Sequence, residues 1–248
     1  MKAMILAAGL GTRLRPLTND RPKALVEIAG RTMLEITLSR LRAFDVRDVI
    51  INVHYFADMI IEYLRANDNF GMRIEISREE VLLDTGGGLK KAAHFFLNES
   101  NGPESSFILH NVDVISTIDL DRMMQFHADN QALATLAVQD RKTSRYLLFD
   151  EQLQLCGRRS GADHKNEFAR TSRQVTALAF SGIHIISPEI FATMTEEGIF
   201  SIVTAYLRLA AEGQKIVGFK ADEYYWRDLG SPGDLMQAAQ DLNTKDLL

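Results

Sequence analysis

The chain predicts an α/β fold, a mostly parallel mixed sheet layered between helices. Two observations carry that prediction. Over residues 4–77 short apolar runs alternate with amphipathic stretches in the order β-α-β-α-β, the pattern of a parallel sheet covered on both faces. The first of these runs, Met4 to Ala8, passes directly into Gly9-Leu10-Gly11, and open α/β sheets bind ligands at the carboxyl ends of their strands.

Gly9 and Gly11 have no Cβ, so backbone N–H groups there can turn toward a ligand and approach it closely. Arg13 follows, with a guanidinium that grips phosphate oxygens as a bidentate fork, and Pro22-Lys23 adds a second cation. Two positive charges beyond a glycine turn suit a triphosphate. The loop is not a dinucleotide fingerprint, because Leu14 stands where the third glycine belongs, and no G-x-x-x-x-G-K-[ST] run occurs.

Downstream, Ala24 to Gly30 reads as a short extended piece and turn. Thr32 caps a helix with Glu35 at the capping-box spacing, and Leu34, Leu38, Leu41 and Phe44 supply its apolar face. Val49–Val53 is a buried strand, Asp58 to Leu64 a helix, and Arg73–Ser77 a strand. Gly86-Gly87-Gly88 precede a helix over Leu89 to Leu97, and three successive glycines let backbone lie flat against a planar ring. Ser106 to Asp113 is a strand ending in an acid. Asp119 or Asp121 is placed to cap the helix Leu120 to His127, which leaves Asp113 free for another task.

Ala132 to Val138 is a strand, and Arg145–Phe149 with Leu153–Arg158 forms a hairpin around Asp150-Glu151-Gln152. A charged loop, Arg159 to Arg173, leads to the strand Ala177 to Ser187, in which His184 is a satisfied core histidine. A helix (Phe200 to Leu209), a strand (Lys215 to Phe219), the segment Tyr224 to Pro232 and a helix (Gly233 to Leu242) complete the chain. No repeat, low-complexity run or linker interrupts it, so residues 1–248 are expected to form one domain.

A 248-residue chain with 46% hydrophobic and 25% charged residues has the makeup of an ordinary globular enzyme. A net charge of −5 argues against a nucleic-acid partner, and no apolar run is long enough to span a membrane. The N-terminus opens on a strand without a signal peptide's apolar region, and the single Cys156, a strand residue, has no internal disulfide partner. Both point to the cytoplasm.

Three stretches together resemble the sugar nucleotidyltransferases, or NDP-sugar pyrophosphorylases. Leu6 to Leu14 followed by Pro22-Lys23 is similar to that family's L-A-A-G-x-G-T-R-L…P-K. Phe180-Ser181-Gly182-Ile183 is similar to its F-x-G-I strand, and Trp226 to Pro232 to its W-x-D-x-G-x-P. Asp84 to Gly88 looks most like short members that uridylylate N-acetylmuramate 1-phosphate or guanylylate mannose 1-phosphate.

The resemblance implies a Rossmann-like three-layer α/β/α fold, with the nucleotide on residues 1–115 and the sugar phosphate on 116–235. It implies nucleotide contacts from Leu6, Ala8, Gly9, Gly11, Thr12, Arg13, Thr85, Gly86 and Gly87. It implies sugar contacts from Asn111, Ser181, Gly182 and, in the 159–173 stretch, Glu167. Asp113 and Asp228 would hold magnesium, the one cofactor expected.

The implied reaction joins a nucleoside triphosphate and a sugar 1-phosphate, releasing pyrophosphate. Arg13 stabilises the leaving group and Lys23 the shared oxygens. The attacking phosphate is already an anion, so no general base is needed. UTP is favoured over GTP. Two alternatives stay open: cytidylyl transfer to a phosphate such as phosphocholine, and a non-catalytic nucleotide-sugar-sensing subunit. Some members carry a further acyltransferase repeat domain; the chain ends soon after Asp228, so that activity is expected to be absent. Oligomeric state is left open.

Overall fold

The computed structural model describes residues 1–97, 106–160 and 165–245. Strand β1 (Lys2–Leu6) lies mid-sheet, parallel to β4 (Asp48–Val53) on one side and to β6 (Phe107–Asn111) on the other. β5 (Arg73–Arg78) extends the parallel set beyond β4. Between them run α1 (Met33–Ala43), α2 (Ala57–Ala66), and the consecutive α3 (Asp84–Lys91) and α4 (Ala93–Leu97). A two-strand ribbon, β2 (Glu27–Ile28) with β3 (Arg31–Thr32), precedes α1.

The second half joins differently. The long β12 (Thr176–Ile186) runs antiparallel to β6, β8 (Ala134–Gln139) and β9 (Tyr146–Phe149). β10 (Leu155–Ser160) and β11 (Lys165–Phe168) continue the sheet antiparallel past β9, while β13 (Ile216–Lys220) lies parallel to β8. A separate short pair, β7 (Val114–Ser116) with β14 (Trp226–Asp228), stands at the carboxyl ends of β1 and β6. The remaining helices are α5 (Leu120–Asp129), α6 (Ile190–Thr193), α7 (Ile202–Ala211) and α8 (Pro232–Lys245).

Strand alternation sorts the core into two layers. Ala3 and Ile5 of β1, Val49 and Ile51 of β4 and Ile108 of β6 face α1, α2, α5 and α8. Met4, Ile50, Phe107 and Leu109 face α3, α4, α6 and α7. The result is the expected three-layer α/β/α sandwich, with a mixed sheet whose parallel strands gather around β1.

Local details refine the sequence expectations. Thr32 Oγ1 accepts from the Glu35 amide at 3.0 Å, but Glu35 turns its carboxylate to Arg31 Nε at 2.9 Å. Only half of the capping box forms. Asp119, not Asp121, caps α5, accepting from the Arg122 amide at 2.9 Å. β1 ends at Leu6 instead of Ala8. The helix expected over Leu89 to Leu97 is two helices that break at Ala92. The polar 159–173 stretch contains the edge strand β11, and its residues 161–164 lie outside the described residues. Among the described residues no helix is long and apolar enough to cross a membrane.

Candidate active site

Two clefts open at the carboxyl ends of the parallel strands, and Asn111 lines both. The smaller, about 350 Å3, has mainly apolar walls from Leu6, Ala8, Leu82, Val112 and Ile199, with Gly9, Thr85 and Asp113 on its polar side. Its shape is held by a buried relay. As the chain leaves β1, the Ala7 amide donates to Asn52 Oδ1 at 2.8 Å. Asn52 Nδ2 donates to Glu79 Oε1 at 2.7 Å, and Glu79 Oε2 accepts from the Leu83 amide at 2.9 Å. With Glu79 only 2% exposed, this relay fixes the glycine loop relative to the Asp84-Thr85 corner. Sequence reading passed over both residues, since an Asn inside one strand and a Glu just after another carry no local signal.

The glycine loop itself divides in two. Gly9 lines the smaller cleft and no atom stands within 4 Å of where its Cβ would be. Gly11 takes the left-handed region at φ 65°, and its carbonyl accepts from Thr18 Oγ1 at 2.8 Å. It starts the short turn Thr12–Leu14 that carries Arg13 outward. Gly11 and Thr12 shape the loop but line neither cleft.

Gly86 and Gly87, expected against the nucleotide base, line neither cleft. They lie within α3, buried, and their amides donate to the Phe200 carbonyl at 2.9 and 3.2 Å. A Cβ on Gly86 would come within 2.4 Å of the Phe200 ring, and one on Gly87 within 2.4 Å of the Gly198 carbonyl oxygen. These glycines admit the 198–200 segment against the helix and present no free backbone to a base. Thr85 alone of the three lines the cleft, and its hydroxyl accepts from the Ile202 amide at 2.9 Å.

The two predicted acids do meet. Asp113 occupies the turn between β6 and β7, and Asp228 ends β14. Antiparallel pairing sets Asp228 opposite Val114, with the Leu229 amide donating to the Asp113 carbonyl at 2.8 Å. Lys23, 9% exposed, forms an ion pair with Asp113. Arg13 Nη2 stands 4.0 Å from Asp228 Oδ1. Burial, then the nearby Asp113 charge, raises the Asp228 pKa; Lys23 and Arg13 pull the other way. The Gly230 amide donates to Asp228 Oδ1 at 2.8 Å, and a Cβ there would crowd the Arg13 guanidinium at 2.6 Å, so that side chain would have to shift.

Asp113 and Asp228 bring two neighbouring carboxylates to this point, the hard-oxygen donors that a divalent cation takes. Among the described residues no cluster of three or more His, Cys, Asp or Glu side chains could hold a metal. A two-carboxylate site nevertheless fits magnesium, which is commonly held by one or two carboxylates plus waters and substrate phosphates.

The larger cleft, about 980 Å3, is polar. Asn111, Ser181, Gly182 and Asp228 line it, as does Arg13. Its remaining cations are Arg141, Lys142, Arg145, Arg158, Arg159 and Arg227; Arg159 opens the charged stretch noted in the sequence, while no motif marks Arg141 or Lys142. Glu167 stands apart from this lining. It sits on the edge strand β11, bound to Arg158 Nε at 2.7 Å, and does not line the cleft. His184 is buried as expected, and Cys156 lies on strand β10 as expected. His184 Nδ1 pairs with the Tyr206 hydroxyl at 2.9 Å.

A family model for nucleotidyl transferases matches residues 2–245. The N-acetylmuramate alpha-1-phosphate uridylyltransferase of Caulobacter vibrioides is 37% identical over 240 residues, covering 93% of this chain and 92% of that protein. The mannose-1-phosphate guanylyltransferase of Mycobacterium tuberculosis is 30% identical, covering 97% of this chain but only 64% of that protein. HddC from Yersinia pseudotuberculosis, solved with GMP-PN, shares the fold at TM-score 0.76 and 24% identity, covering 97% and 99% of the two chains. The UDP-glucose pyrophosphorylase of Acinetobacter baumanii does so at TM-score 0.79 and 17% identity, covering 99% and 95%. With the glycine loop, the paired acids and these likenesses in agreement, the chain belongs to the nucleotidyl transferase family.

Proposed function

We propose that the protein transfers a uridylyl group from UTP to a sugar 1-phosphate with magnesium, releasing pyrophosphate. The observation that carries this reading is the seam where the clefts meet at Asn111, with Asp113 on one side and Asp228 on the other. The smaller, mainly apolar cleft suits a nucleoside, and the larger polar one a phosphorylated sugar. Uracil is favoured because the Caulobacter relative, matched across nearly both full chains, is named for uridylyl transfer.

An acceptor phosphate oxygen forms the new bond to the α-phosphorus. The bond from that phosphorus to the bridging oxygen breaks, and pyrophosphate leaves with the electron pair. Asp113 and Asp228 would hold the magnesium ion, which when bound supplies charge neutralisation at the phosphates. Lys23, locked against Asp113 in the wall of the smaller cleft, keeps that carboxylate oriented and adds positive charge beside the reacting oxygens. Arg13 is exposed, and its one ion pair among the described residues is the 4.0 Å contact with Asp228, so it is free to follow the departing pyrophosphate. Positioning and charge are enough for such a transfer.

The test is pyrophosphate release over a matrix of nucleoside triphosphates and sugar 1-phosphates, with and without magnesium. Release that requires UTP, one sugar 1-phosphate and the metal is expected. Release with GTP would correct the base alone, while release with phosphocholine and CTP, or none at all, would overturn the reading.

A further inference from the structure

Arg141 stands just past the end of β8, in the wall of the larger cleft. Three features set it apart from the other cations there. Its guanidinium carbon lies 3.6 Å from the centre of the Trp226 ring, a close cation–π stack. One terminal nitrogen, Nη2, donates to the Phe180 carbonyl at 2.7 Å. Its Nε is buried without a partner. Trp226 is itself fixed, because its Nε1 donates to the Ser181 carbonyl at 2.7 Å. The guanidinium is therefore clamped between β14 and β12, while among the described residues no carboxylate forms an ion pair with it. By contrast Arg158 is bound to Glu167, and Arg159 Nε donates to Asn166 Oδ1 at 2.8 Å.

A planar cation held rigid and half-buried, with the Asp228 charge nearby but outside ion-pair distance, is preorganised for an anion from outside. Its fork matches phosphate oxygens better than a flexible ammonium would. Trp226 precedes Asp228 by two residues on one short strand, so the clamp places the cation on the acceptor side of the paired acids. Arg141 does not line the smaller cleft. We propose that Arg141 binds the phosphate of the acceptor sugar and holds it in line for attack. This rests on the acceptor being a sugar phosphate, as proposed above.

The chain holds a single tryptophan, so Trp226 reports on the Arg141 site whether or not turnover is seen. Titrating the full chain with inorganic phosphate, against chloride at equal ionic strength, should change Trp226 fluorescence saturably in the wild type. The change should be lost in Arg141→Met. No saturable change, or the same change in Arg141→Met, would overturn the proposal even if the matrix assay identifies substrates. Where substrates are identified, Arg141→Met should raise the acceptor KM about tenfold or more and leave the triphosphate KM within about twofold. Arg141→Lys, which keeps the charge without the fork, should fall between. Were Arg141 only a brace for β14, kcat and the thermal midpoint would drop with acceptor KM unchanged, which would also overturn it. If no triphosphate and acceptor pair reacts but phosphate still reports through Trp226, the proposed reaction fails while the anion site stands.

Discussion

The two clefts that meet at Asn111 are built by opposite means. The smaller is shaped from behind, by backbone leaving β1 and by the buried Asn52–Glu79 relay, and its walls are mainly apolar. The larger is shaped from within, by arginines and a lysine on β10 and on the connection between β8 and β9. A nucleoside offers a flat apolar body that a fixed wall can receive. A phosphorylated sugar offers charge and hydroxyls, which side chains read. It follows that the seam should control turnover, the smaller cleft should couple binding to stability, and the outer rim of the larger should matter least.

The seam gives the largest effect. Asp228→Asn should lower magnesium-dependent pyrophosphate release by about a hundredfold or more, the scale seen when one positioned charge-stabilising group is lost. The same variant should melt no lower than the wild type. A carboxylate whose pKa is raised in the folded state, here by burial and by Asp113, is one whose charge opposes folding at neutral pH. Asparagine keeps an oxygen for the Gly230 amide. Turnover and stability should thus move in opposite directions. Undiminished turnover would remove Asp228 from the chemistry, and a large fall in melting temperature would recast it as structural.

The smaller cleft should behave otherwise. Asn52→Ala leaves the Ala7 amide and a Glu79 oxygen without their buried partners, at a cost of about 1–3 kcal/mol. Because the same relay sets the glycine loop, the triphosphate KM should rise with that loss while the acceptor KM stays put. Chemical denaturation paired with steady-state kinetics reads both. A rise in both KM values would mean that the clefts are not separately supported.

This contrast also explains what could be read from the sequence. Strand order, the Gly9–Gly11 turn, Lys23 and the two acids were legible because each depends on a local pattern: apolar period, turn chemistry or a short run of fixed spacing. That Asp113 and Asp228, 115 positions apart, would meet came only from a resemblance, and β7 pairing with β14 is the physical reason. Gly86-Gly87-Gly88 misled because a glycine run signals close approach without saying to what. The approaching group is the chain's own 198–200 segment at Gly86 and Gly87 and the Asn52 and Glu79 side chains at Gly88, and the stretch closes into a helix despite glycine's poor propensity because that packing outweighs it. Asn52, Glu79 and Arg141 were hidden because their partners come from distant strands.

Glu167 provides the smallest effect and the sharpest check on the outer rim. Sequence likeness put it on the sugar, whereas the structure pairs it with Arg158 on an exposed edge strand, with its side chain 61% exposed. An exposed pair of this kind is worth about 0–1 kcal/mol. Glu167→Gln should therefore change stability by less than about 1 kcal/mol and leave the acceptor KM within about twofold. Glutamine keeps the length and one acceptor oxygen, so Arg158 retains a neighbour while the charge attraction is gone. If the acceptor KM instead rose tenfold with triphosphate binding intact, β11 would have to move onto the bound sugar, and the larger cleft would be one that closes around its substrate instead of one already formed. A variant indistinguishable from the wild type, beside an Arg141→Met variant that loses the acceptor, would place sugar-phosphate recognition on the clamped cation and not on the strand edge.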